Sequence, residues 1–110
     1  MLRFALRQAL ATLMLLTPAL AASSDVQRGK AYASRHCGGC HSIDLVSTSR
    51  LKAAPPFRTL HTRYPVESLA ESLAEGISTG HPAMPEAELT PDQIQDLLTF
   101  LKTLEQSRRE

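Results

Sequence analysis

Cys37-Gly38-Gly39-Cys40-His41 puts two thiols three positions apart and a histidine directly after the second. Each thiol can add across one vinyl group of a porphyrin, and the histidine then lies beneath the iron as its proximal ligand. The pattern C-x-x-C-H is the attachment signature of a covalently bound haem. A Cys37–Cys40 disulfide would leave His41 without a role, and so short a loop stabilises little. No βαβ pattern supports a thioredoxin-like redox role. Structural zinc would want a second ligand pair close in sequence, whereas His61 and His81 stand singly. The chemistry indicated is one-electron transfer at iron.

The chain around this motif is short. Arg3 and Arg7 precede an apolar run from Ala9 to Leu16, broken only by Thr12, and Pro18 leads to Ala19-Leu20-Ala21. These features predict a secretory signal peptide over residues 1–21, cut after Ala21, and hence a periplasmic location. The arginines are not adjacent, so a twin-Arg signal is not indicated. The apolar run is shorter than the roughly 20 residues a spanning helix needs, so no stable membrane insertion is expected. Residues 22–110 then form one domain of 89 residues (110 − 21). Its aromatic residues are Tyr32, Phe57, Tyr64 and Phe100, with no Trp. A core this thin usually needs a staple, and a haem tied by two covalent bonds and axial ligands would be one.

Elements follow from capping and period. Asp25 is a candidate N-cap for a helix over about Val26–His36 that delivers the motif. Residues 42–63, with Ser, Thr, two Pro and short apolar patches, read as a long irregular loop. So long a loop in so small a domain needs a purpose, and wrapping a cofactor is one. A middle helix is marked by Pro65 in its first turn, Leu69, Leu73 and Ile77 every four residues, and Gly76 at its end. Glu67, Glu71 and Glu75 share another face, read as solvated. Thr90-Pro91-Asp92-Gln93 combines an N-cap, proline at the first helical position and a capping-box glutamine. Ile94, Leu97, Leu98, Leu101 and Leu104 follow at helical spacing, with Phe100 beside them. Lys102, Arg108 and Arg109 suit the C-terminal end of that helix.

His41 fills one axial position and leaves the other open. Met84, in Gly80-His81-Pro82-Ala83-Met84-Pro85, is the first candidate; Met1 and Met14 both belong to the predicted leader. A thioether is a soft neutral ligand that favours ferrous iron. His81 is the rival ligand, and an open or water-bound iron is the third possibility. His36 reads as surface because it would have to cross the porphyrin plane, and His61 reads as solvated.

Taken in order, these features resemble the class I c-type cytochromes, in particular the small periplasmic mono-haem members. The resemblance covers about residues 25–105. It rests on a helix with Gly29, the haem motif, the proline loop, the middle helix, the Met loop and the capped last helix. It implies an all-α cytochrome c fold, with three main helices and long loops wrapped around one covalently bound haem c. It implies Cys37 and Cys40 as thioether positions, and His41 and Met84 as axial ligands. It further implies that Pro55, in preference to Pro56, offers its carbonyl to the proximal imidazole. Gly29, eight residues before Cys37, would let the first helix cross closely over the last one at Phe100-Leu101. C-x-x-C-H near the start of the mature chain sets it apart from the four-helix-bundle cytochromes.

Charge departs from the mitochondrial pattern. Residues 22–110 hold 10 Lys/Arg and 11 Asp/Glu, a formal −1. Residues 28–63 carry Arg28, Lys30, Arg35, Arg50, Lys52, Arg58 and Arg63 against Asp44 alone. Residues 64–96 carry Glu67, Glu71, Glu75, Glu86, Glu88, Asp92 and Asp96 with no Lys or Arg. Such a dipolar chain would be steered by its partner's field. Nothing indicates nucleic-acid binding, and no acid–base or nucleophile constellation indicates an enzyme. The expected function is a monomeric shuttle of single electrons between redox proteins. The alternatives are an electron-accepting subunit of a periplasmic oxidoreductase, or a haem sensor with a labile sixth ligand.

Overall fold

The computed structural model describes residues 18–76 and 83–105. Three helices, α1 (Pro18–His36), α2 (Leu69–Glu75) and α3 (Pro91–Thr103), are joined by loops that contain two 3-10 turns, Phe57–Thr62 and Val66–Ser68. No strand occurs among the described residues. The all-α expectation is met.

Helix α3 follows its sequence signals closely. Gln93 N–H donates to the Thr90 hydroxyl (3.3 Å) and Thr90 N–H donates to Gln93 Oε1 (3.0 Å), a reciprocal capping box with Pro91 in the first turn. Its inner face buries Ile94, Leu97, Phe100 and Leu101, and Leu104 closes the stripe one step beyond. These residues pack with Ala33 of α1, Phe57, Leu60, Val66, Leu73 and Leu89 into one core.

Helices α1 and α3 form the main contact between helices, and Gly29 is its closest point. A Cβ built there would stand 2.0 Å from the Asp96 carbonyl oxygen and 2.8 Å from Phe100 Cβ. Only a residue without a side chain allows the two backbones to approach so closely. Arg28, on the neighbouring position, donates to Asp96 across the crossing (2.9 Å) and also binds Asp25.

Four expectations change. Helix α1 starts at Pro18, not at Val26, because Ala19, Leu20, Ala21 and Ala22 are strong helix formers. Asp25 therefore lies inside the helix and binds Arg28 instead of capping. The stretch 42–63 is not irregular throughout, since Phe57–Thr62 forms a 3-10 turn with Phe57 and Leu60 buried. The middle helix does not begin at Pro65. That proline caps the short 3-10 turn Val66–Ser68, which passes directly into α2. Gly76 ends α2 at φ 91°, a backbone setting that glycine adopts without strain. Glu67 is exposed but not simply solvated, because Lys102 of α3 reaches it at 2.6 Å. Ile77, Gly80, His81, Pro82, Arg108, Arg109 and residues 1–17 lie outside the described residues.

Candidate functional site

The Cys37–His41 turn is wound directly onto the end of α1. Cys37 and Gly38 N–H both donate to the Ala33 carbonyl (2.8 Å each), and Cys40 and His41 N–H return to the Cys37 carbonyl (3.2 and 2.9 Å). Both cysteines are free thiols and half-buried. Burial pushes the Cys37 thiol up to about 11. A neutral thiol is a slower nucleophile than a thiolate.

His41 is oriented from outside its own turn. Its Nδ1 lies 2.7 Å from the Pro55 carbonyl oxygen. A carbonyl can only accept, so Nδ1 carries the proton and donates. The lone pair of the neutral ring is then on Nε2, the nitrogen left to bind a metal. The neighbouring Pro56 carbonyl is engaged elsewhere, accepting Thr59 N–H (2.9 Å) and the Thr59 hydroxyl (2.7 Å). Phe57 packs its ring 4.9 Å from the imidazole, and its N–H donates to the Ser42 carbonyl (2.9 Å). The proline segment is thus clamped against the motif from both sides.

A second set of contacts holds the intervening loop. The Arg58 guanidinium donates to the Ser47 carbonyl (2.8 Å), the Ser42 hydroxyl (3.2 Å) and the Asp44 carbonyl (3.4 Å). Leu51 N–H donates to the Cys40 carbonyl (3.1 Å). No sequence period marks Arg58, which acts on residues 11 to 16 positions away.

Met84 lies on the segment leading to α3 and is 37% exposed. That segment is tied at its far end by Leu89 N–H donating to the Leu73 carbonyl (2.9 Å). His81 is outside the described residues. His36 is exposed and stacks beside Tyr32, with ring centroids 4.4 Å apart. His61 departs from its solvated reading: it is half-buried, and its Nδ1 is buried without a hydrogen-bond partner. Among the described residues no group of three or more His, Cys, Asp or Glu could hold a metal ion.

The donor set fits a covalent haem. Two reduced thiols lie on one tight turn, and the adjacent imidazole has Nδ1 occupied and Nε2 available. The cytochrome c family model matches residues 26–105, essentially the whole span from α1 to the end of α3. No curated protein and no solved structure matches the chain.

Proposed function

The chain belongs to the cytochrome c family, and from that premise we propose that it is an exported mono-haem carrier with His41 and Met84 as axial ligands. The family binds haem c through its cysteine pair, here Cys37 and Cys40, and transfers electrons. Bound haem supplies a one-electron iron couple.

The observation that carries the reading is the His41–Pro55 hydrogen bond. It fixes the ring and its tautomer, and it makes Nε2 a stronger donor to iron. Phe57 limits rotation of the same ring from its face. Met84 is supported as the second ligand by its type and its place in a proline-flanked segment. A thioether there, with no proton to gain or lose, would let the carrier exchange electrons without coupled proton movement. Filled axial positions leave no place for a substrate, consistent with a carrier that is not itself an enzyme. No helix among the described residues is long and apolar enough to cross a membrane. The leader-like residues 1–21 support export to the periplasm, with residues 22–110 as the mature domain. Its partners are redox proteins, met as a free shuttle or within an oxidoreductase.

The test is a potentiometric titration of the exported, haem-loaded protein, followed by exposure of the reduced form to carbon monoxide. A single one-electron transition and no rapid carbon monoxide binding are expected. Rapid binding would instead favour a sensor with a labile ligand.

A further inference from the structure

Ser42 is a buried polar residue, 4% exposed, and each of its polar atoms is engaged. Its N–H donates to the Ser49 hydroxyl (3.0 Å), and its carbonyl accepts Phe57 N–H (2.9 Å). Its hydroxyl shares a hydrogen bond with that of Ser47 (2.8 Å) and accepts from Arg58 Nη1 (3.2 Å). Buried polar groups are costly to leave unpaired, so this set of contacts holds one backbone geometry. Ser42 follows His41 directly, and the same contacts therefore fix the backbone that carries the imidazole.

The contacts close a ring. From His41 the chain passes to Ser42, whose carbonyl is joined to Phe57 N–H. Two residues before Phe57 lies Pro55, whose carbonyl accepts the His41 Nδ1 proton (2.7 Å). Pro55 and Pro56 fix φ along that return path. Arg58 stands next to Phe57, and Nη1 of its half-buried side chain reaches back to three acceptors. They are the Ser42 hydroxyl, the Ser47 carbonyl (2.8 Å) and the Asp44 carbonyl (3.4 Å). Phe57 and Arg58 thus grip the residue after His41 by backbone and by side chain at once.

We propose that Arg58 is a positioning residue for the His41 imidazole: by holding Ser42 against Phe57 it keeps the His41–Pro55 hydrogen bond short. The proposal rests on His41 as an iron ligand and adds the residue that sets the strength of its outer bond. A bond donated from Nδ1 makes Nε2 a better donor, which favours ferric iron. Loosening that bond should therefore raise the midpoint potential. Arg58 is also a cation, and a cation nearby disfavours ferric iron, so losing its charge alone should lower the potential. The two roles have opposite signs, and lysine separates them. Lysine keeps the charge, but its Nζ stands one bond nearer the backbone than Nη1, the atom that makes all three contacts.

The test uses the exported, haem-loaded protein. Exchange of the His41 Nδ1 proton with solvent is followed by nuclear magnetic resonance in the reduced form, and the midpoint potential by potentiometry. In R58K that proton should exchange on the order of tenfold faster, the effect of losing roughly one hydrogen bond, and the potential should rise. S42A removes one acceptor of Arg58 and leaves the Ser42 carbonyl, so it should move both in the same direction by less. T90A, which weakens the cap of α3, is the control. It should lower the denaturant midpoint and leave the proton and the potential unmoved. R58K matching the unsubstituted protein, or quickening exchange no more than T90A does, reduces Arg58 to a structural contact and overturns the proposal. An unmoved potential in R58K with a lowered one in R58Q makes its role one of charge alone and also overturns it. His41 ring protons without the ring-current shift of a haem-bound imidazole, in the unsubstituted protein, overturn the ligand reading beneath the proposal instead.

Discussion

Gly29 of α1 rests against the Asp96 carbonyl of α3, with room for a hydrogen and for nothing larger. Substitution by alanine must separate the two helices, because the obstructing atoms are backbone and cannot rotate away. Overpacking of this kind costs about 1–3 kcal/mol, and the Arg28–Asp96 contact beside it would be strained in addition. Gly29→Ala is expected to lower the denaturant midpoint of the haem-loaded protein without changing its haem content. An unchanged midpoint would mean that the crossing is looser than these distances show.

Phe57 joins the core to the proximal histidine. It is 8% exposed, its ring lies 4.9 Å from that of His41, and its backbone is tied to Ser42. Phe57→Ala should cost about 3–5 kcal/mol through the cavity it leaves. The same change frees the His41 ring to rotate, so the midpoint potential should move as well. Loss of stability with an unmoved potential would separate packing from ligand orientation.

Much of this arrangement is legible in the sequence where the signal is local. The capping box at Thr90 and Gln93, the apolar stripe of α3 and the glycine ending α2 each depend on residues within about one helical turn. Gly29 and Pro55 are legible only through family resemblance, since no local rule requires a helix crossing or a carbonyl acceptor at those positions. The 3-10 turn at Phe57–Thr62 gives too short a period to register. Arg58 is invisible to pattern reading because its partners are carbonyls and a hydroxyl far along the chain. The like-charge series Glu67, Glu71 and Glu75 concealed one tertiary pair, Glu67 with Lys102.

Asp44 gives the loop a pH dependence. Hydrogen bonds from Ser47 and Val46 hold its carboxyl at about 2, below the ordinary 3.8. A carboxylate depressed on folding stabilises the fold above its unfolded value, and that contribution is lost as pH falls through the folded one. Stability of the haem-loaded protein should therefore decline between pH 3.8 and about 2. Asp44→Asn should reduce that dependence, as read from thermal midpoints across the acid range. Parallel profiles for the two proteins would show that the carboxylate does not fasten the loop.

Removing the haem tests its role as a staple. The core is drawn from a few residues of three helices and two turns, and small cores seldom suffice without a bound group or cross-link. Cys37→Ala combined with Cys40→Ala, produced without haem, is expected to lack a cooperative thermal transition by circular dichroism. A sharp native-like transition would mean that the α1–α3 pair and its neighbours are stable unaided.

The central claim is axial ligation by His41 and Met84, and the absorption spectrum of the oxidised, exported protein tests it most directly. The account predicts a weak red band from iron–thioether coordination, present in the haem-loaded protein and absent in Met84→Ala. Absence of that band in the unsubstituted protein, or its survival in Met84→Ala, would contradict the assignment and bring His81 or an open iron forward.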